Sequence, residues 1–203
     1  TEDHPLVPLT LYNKYKGMCE PLLLKHTDKN FKGVVFRPAT VCGYAPRLRL
    51  DLSVNILTNF AINKSFIKVF GGDQLRPNLH IHDYFRAVET LITASDEKIE
   101  NQIFNVGYQN LSISDLAQKV KSVVEKEFPK KKNIEIVKSP SDDKRSYHIN
   151  SDKIKKILGF VPKKTIENAI KDYNLGENIQ AIIIDVHGEA SSEKMAIGHA
   201  FDG

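Results

Sequence analysis

The 203-residue sequence predicts an α/β layered fold. Short apolar runs that read as buried strands alternate along the chain with stretches of helical spacing, and glycine or proline separates many of them. The composition agrees. Hydrophobic residues make up 41% and charged residues 27%, the balance of an ordinary globular protein. No internal repeat and no low-complexity tract breaks the pattern.

The elements follow in order. Residues 1–8 form a polar, proline-marked lead-in. A helical pattern starts at Thr10 and runs to about His26, with Pro21 as a kink or a break. Gly33-Val34-Val35-Phe36 reads as a buried strand ended by Arg37-Pro38. Residues 42–50 form a loop rich in Gly, Pro and Arg. Residues 52–62 have helical spacing, and residues 67–70 form a strand closed by Gly71-Gly72. His80-Ile81-His82 is a short extended piece, and Asp83 is the expected N-cap of a helix reaching about Ser95. Residues 102–106 form another apolar strand. Ser112 caps a helix running to about Glu127, with Asp115 in the capping-box position. Residues 134–137 alternate as a strand. A short helix starts at Ser151 and stops at Gly159, before Pro162, and a last one runs from Thr165 to about Tyr173. Beyond the polar break at 174–178, the apolar run 181–184 predicts a central strand, followed by a helical stretch to Gly203.

Bulk properties narrow the function. The net charge is +4, but the lysines are mixed with acids. Lys130-Lys131-Lys132 has no interleaved aromatics, so it reads as a solvated loop and nucleic acid is not an expected partner. Two cysteines, Cys19 and Cys42, suggest reduced thiols and a cytoplasmic location. No apolar run approaches the roughly 18 residues of a membrane span, so no membrane association is expected. His80 and His82 would face one side of a strand, but no further ligand has suitable spacing. Packing or a pocket role is preferred to a metal.

The pair Tyr12 and Lys16 carries the chemistry. A spacing of four puts both on one helix face. An ammonium beside a phenol favours the phenolate, and a tyrosine so tuned can act as general acid or base at a hydroxyl or keto group. Downstream, in register, come Phe36-Arg37-Pro38-Ala39-Thr40-Val41-Cys42-Gly43, Pro46-Arg47-Leu48-Arg49, and Gly71-Gly72-Asp73-Gln74-Leu75-Arg76-Pro77-Asn78-Leu79-His80-Ile81-His82-Asp83. Phe104-Asn105-Val106-Gly107, Asp143-Lys144-Arg145 and Leu158-Gly159-Phe160-Val161-Pro162 complete the series. In this order, over residues 1–173, the chain resembles the extended short-chain dehydrogenase/reductases, the NAD-dependent epimerase/dehydratase group acting on nucleotide-activated sugars.

The resemblance implies a Rossmann-type α/β fold and NAD as cofactor. Tyr12 would be the catalytic base and Lys16 its partner on the nicotinamide ribose. Pro38 and Val41 would bound the strand end against the nicotinamide. Thr40, Asn55, Arg76 and Arg145 would hold the nucleotide sugar, although many relatives carry Asn where Thr40 stands. Arginine forks suit phosphate oxygens in any case. The implied reaction is oxidation of the sugar, usually at C4, followed by epimerisation, dehydration or decarboxylation. The implied assembly is a possible homodimer through the helix bearing Tyr12. The family's glycine-rich pyrophosphate loop and the acidic residue that holds the ribose do not occur in the sequence. We therefore expect the C-terminal half of such an enzyme, carrying its substrate-binding part and with little or no activity alone.

The tail, about residues 178–203, resembles instead an internal stretch of the YmdB-like metallophosphoesterases. His187 falls at a ligand position of that family, while Asp185 and Glu189 are expected to be strand-end and helix-start residues. The expected organisation is thus 1–173 and 174–203. A non-catalytic nucleotide-sugar binding module and a metal-dependent phosphodiesterase fragment stand as alternative functions.

Overall fold

The computed structural model describes residues 1–141 and 145–173. Helix α1 (Leu11–Lys25) leads into strands β1 (Val34–Pro38) and β2 (Thr40–Cys42). Then come α2 (Ser53–Lys64), β3 (Phe66–Phe70), β4 (Leu75–His80), α3 (Ile81–Thr93) and the single turn α4 (Asp96–Ile99). The rest is β5 (Gln102–Val106), β6 (Gln109–Ser112), α5 (Ile113–Glu127), β7 (Glu135–Ser139), α6 (Asp152–Leu158) and α7 (Ile166–Lys171). The alternation of strand and helix is therefore the one the sequence predicts. The strand and helix expected at 181–203, with Asp185, His187 and Glu189, lie outside the described residues.

Three small sheets carry the strands. β1 pairs with β5 in parallel, from Val34 opposite Gln102 to Pro38 opposite Val106. β4 is the centre of the second sheet, parallel to β2 and antiparallel to β6. β3 pairs in parallel with β7. Two cores result. One joins α2, β3, α5 and α7 around Val54, Leu57, Ile67, Val69, Leu116, Val120, Val124 and Ile170. The other joins β1, β5, α3 and α6 around Leu79, Phe104, Val106, Ile154 and Phe160. On α5 the buried residues Leu116, Ala117, Val120, Val123 and Val124 recur at helical spacing. Burying each of the larger ones contributes about 1.5–3 kcal/mol.

Several local expectations are corrected. β2, residues 40–42, lies between the expected strand and the expected loop and shares only Cys42 with that loop, and β6 lies between the strand expected at 102–106 and the helix expected from Ser112; both are too short to show a period. Pro21 does not break α1, which continues to Lys25. Thr10, where the helical pattern is expected to start, caps that helix, its hydroxyl accepting from the Asn13 N–H. The expected N-cap Asp83 is instead a buried residue in the first turn of α3. The cap is His80, whose Nδ1 accepts from the His82 N–H at 3.1 Å. His80 and His82 are thus not two positions on one strand, although their rings stack with centroids 5.4 Å apart. A histidine at the end of an apolar strand gives little sign that it will cap the next helix.

Asp83 has a different task. One oxygen accepts the backbone N–H groups of Lys163 and Lys164 at 2.8 and 2.7 Å, and the other accepts from Arg86 at 2.5 Å. It thereby fastens the α6–α7 connection to α3. His80 fastens the end of α7. Its side chain is fully buried, and its Nε2 lies 3.0 Å from Asp172 Oδ2. With Nδ1 occupied as an acceptor, Nε2 is the protonated nitrogen and donates to Asp172. Desolvation pulls the His80 pKa below the ordinary histidine value, and Asp172 only partly opposes this.

Candidate functional site

Strand β3 alternates faces. Ile67 and Val69 enter the core, which leaves Lys68 and Phe70 on the opposite face. That face forms one wall of a cavity of about 310 Å³. Phe60 comes from α2, Gln74 and Arg76 from the start of β4, and Arg145 from the segment after β7. The wall's geometry depends on the Gly71-Gly72 turn. Gly72 has φ +134, and a Cβ there would lie 2.3 Å from Ser114 Oγ, so only glycine fits. Gln74 locks the turn. Its Oε1 accepts the Gly72 N–H at 2.7 Å, and its Nε2 donates to the Phe70 carbonyl at 3.2 Å.

Charge is lopsided in this cavity. Among the described residues, Lys68, Arg76 and Arg145 line it beside one acid, Asp51. Asp51 is already engaged by both arms of Arg49, at 2.6 and 3.1 Å, and that contact holds its carboxyl below the usual range. The Lys68 ammonium lies 4.8 Å from the Phe70 ring centroid. Three cations with two aromatic rings make a site for a polyanion that carries a flat group. A second depression, of about 470 Å³, lies over α3 between His82 and Thr93. Its lining comes from that single helix, and no polar groups converge on it from elsewhere.

Of the residues singled out in the sequence, the structure brings Arg76 and Arg145 together in the cavity. Arg76 Nη1 donates to the Arg145 carbonyl and, at 2.9 Å, to that of Leu75. Asn55 is buried just beneath the wall. Its Nδ2 donates to the Arg49 carbonyl at 2.8 Å, while its Oδ1 has no partner among the described residues. Thr40 and Val41 sit on β2, opposite Asn78 and Leu79 of the strand that carries Arg76. Pro38 is exposed at the carboxyl end of β1. None of these four, nor Tyr12 or Lys16, lines the cavity.

Tyr12 and Lys16 share a face of α1, as their spacing requires, with Lys16 Nζ 5.8 Å from the Tyr12 ring centroid. Tyr12 is 56% exposed, and α1 has no buried residue. The helix is tied down by polar contacts. Arg37 of β1 donates to both carboxylate oxygens of Glu20, one at 2.8 Å, and to the Glu2 carbonyl at 3.1 Å. Among the described residues no group of three or more His, Cys, Asp or Glu could hold a metal ion. Also among them, no helix is long and apolar enough to cross a membrane.

Sequence reading missed Lys68, Phe60, Phe70 and Gln74. A signal existed for Lys68 and Phe70, because alternation in Phe66–Phe70 sets them opposite Ile67 and Val69. Nothing in the sequence brings Phe60 to the same place.

The fold is α/β, with parallel strand pairs and helices between the strands. Residues 1–107 match the NAD dependent epimerase/dehydratase family, and the chain belongs to that family. It is 31% identical over 120 residues to dTDP-glucose 4,6-dehydratase of Shigella flexneri, a match covering 55% of this chain and 32% of that protein. The match to dTDP-glucose 4,6-dehydratase 1 of Escherichia coli K12 is 30% identical with the same coverage. The chain thus spans about a third of the length of these relatives. Among solved structures, its fold is similar to a dTDP-glucose 4,6-dehydratase from Bacillus anthracis in complex with NAD. There the TM-score is 0.70 and the identity 19%, over 85% of this chain and 53% of that one. It is equally similar to a UDP-glucuronic acid 4-epimerase from Bacillus cereus in complex with UDP-glucuronic acid and NAD. That TM-score is 0.70 at 21% identity, over 85% of this chain and 54% of that one. The Rossmann-type fold expected from the sequence is therefore present.

Proposed function

We propose that this chain is the substrate-binding part of an NAD-dependent nucleotide-sugar epimerase or dehydratase, with the nucleoside diphosphate in the cavity walled by Phe70. The carrying observation is the convergence of Lys68, Arg76 and Arg145 on one cavity beside two aromatic rings. The cations face the diphosphate oxygens, and the rings meet the base. Relatives named for dTDP-glucose and UDP-glucuronic acid support a nucleotide sugar as the ligand. By the family resemblance, Thr40 and Asn55 are assigned to the same ligand, Asn55 with the nucleotide diphosphate.

The chemical step belongs to the other face. Tyr12 and Lys16 present a phenol and an ammonium together on α1, Pro38 ends β1 and Val41 is the middle residue of β2. In open α/β sheets ligands bind beyond the carboxyl ends of the strands. This set fits the nicotinamide and its ribose, while the sequence supplies no glycine-rich loop for the pyrophosphate. When bound, NAD supplies the hydride acceptor. Tyr12 takes the proton from the sugar C4 hydroxyl, and Lys16 holds the ribose. We assign residues 1–173 to this unit and 174–203 to a second one on sequence grounds alone. The free thiols of Cys19 and Cys42 suit a cytoplasmic location. A homodimer through α1 is supported by the exposed stripe Leu11, Tyr15, Met18 and Leu22, whose 4-3-4 spacing makes a helix-packing seam.

Titration calorimetry of the chain with UDP-sugars and dTDP-sugars, with and without NAD, tests the reading. Binding that is weakened but still measurable in Arg76→Gln and in Arg145→Gln supports it; absence of nucleotide-sugar binding by the wild-type chain refutes it. A second reading, a binding module without turnover, is favoured by the exposure of Tyr12. Nucleotide-sugar binding with no reduced dinucleotide formed under saturating NAD would select it.

A further inference from the structure

We infer that Tyr147, which is not part of the cavity wall, is a positioning residue that aims the Arg76 guanidinium into the cavity. This inference rests on the nucleoside-diphosphate reading of that cavity. The Tyr147 ring centroid lies 5.6 Å from Arg76 Cζ, so the aromatic ring supports the guanidinium from outside. The segment that carries it is laced along β4 and β6. Tyr147 donates its N–H to the Leu75 carbonyl at 3.3 Å, the same carbonyl that accepts from Arg76. The Leu75 N–H donates to Ser146 Oγ at 3.0 Å. Two residues on, both arms of the Asn110 amide grip the Ile149 backbone, at 3.0 and 3.1 Å.

The consequence is geometric. An arginine side chain has many rotamers, and ordering it when ligand arrives costs affinity. Here one nitrogen is held by the Leu75 and Arg145 carbonyls, and the plane rests on Tyr147. Tyr147 thus acts through Arg76 without touching the ligand. Its hydroxyl has no part in this, since the attraction comes from the ring face.

The test is a double-mutant cycle read by calorimetric titration of the full chain with UDP and, separately, dTDP. Tyr147→Leu is expected to weaken binding about threefold, the loss that one partly exposed cation–ring contact corresponds to. Tyr147→Phe should restore wild-type affinity. In an Arg76→Gln background, Tyr147→Leu should cause no further loss. Melting temperatures of the variants are measured alongside, and Tyr147, half exposed, should leave them unchanged. Equal losses in both backgrounds, or failure of Phe to rescue, would mean a merely structural role and overturn the inference. Wild-type affinity in Tyr147→Leu would overturn it while the nucleotide reading stands. No binding of either nucleotide by the wild-type chain removes both.

Discussion

Substituting Asp83 should be among the more damaging single changes in this protein. Its side chain is fully buried and accepts three hydrogen bonds, two from the Lys163 and Lys164 backbone and one from Arg86. Charge-assisted bonds contribute about 1.5–3 kcal/mol each, neutral ones about 0.5–1.5. Asp83→Asn keeps one oxygen, so the two backbone bonds weaken by about 1 kcal/mol each. Its amide also places a donor against the Arg86 guanidinium. That arginine is 37% exposed and can turn to water, so its share is discounted to about 0.5 kcal/mol. The expected loss is about 2–3 kcal/mol for Asn and about 3–4 kcal/mol for Ala, which removes both acceptor oxygens and with them all three bonds. Urea denaturation followed by circular dichroism measures it, with hydrogen exchange showing whether protection falls first at residues 163–173. A loss under about 1 kcal/mol for both variants would refute the assignment of Asp83 as the clamp.

Three further outcomes are expected. His80 has a folded-state pKa depressed by burial, so the unfolded chain binds its proton more readily. Its stabilising contribution is complete above the unfolded value of about 6.5 and is lost as pH falls through the lower folded value. Urea midpoints should drop across that window, and His80→Gln should flatten the drop. Gly72→Ala should cost more than about 2 kcal/mol in thermal melts, because its Cβ would meet Ser114 Oγ at 2.3 Å. By contrast Gly159→Ala, with φ +69 and nothing within 4 Å, should cost only about 1 kcal/mol of left-handed backbone strain. Finally, a thiol-reactive dye should label exposed Cys19 quickly and buried Cys42, whose thiol is pushed up to about 12, only after denaturation. Two fast thiols in the native protein would contradict this.

What was legible depended on the length scale of each signal. Helices α1, α5 and α7 announced themselves because Thr10, Ser112 and Thr165 stand before stretches of helical spacing, and α2, which Leu52 precedes, by spacing alone. Strands β2 and β6 hold three and four residues, too few for a period to show. They exist because β4 lies between them and accepts a partner on each side. The same limit governed the site. Arg76 and Arg145 lie 69 positions apart; motif order assigned both to one ligand, and the structure brings both to one cavity. Phe60 and Tyr147 carry no motif and enter only through packing.

The two halves of the proposed chemistry rest on different foundations. The cavity is framed by α2, β3 and β4, and the first two contribute to the larger core. Its shape is therefore fixed by burial of Leu57, Ile67 and Val69, and by a glycine turn that tolerates no side chain. The Tyr12–Lys16 pair stands on a helix with no buried residue, held to β1 by Arg37 and Glu20. A rigid pocket is what nucleotide binding needs, since preorganised cations cost little to order. Proton transfer needs Tyr12 fixed within hydrogen-bond reach of one hydroxyl, and a tether of one arginine does not fix it that closely. The exposed stripe on α1 offers the apolar surface through which a packing partner would complete that constraint. On the proposed reading, binding therefore rests on the described residues, whereas catalysis rests on a partner packed against α1.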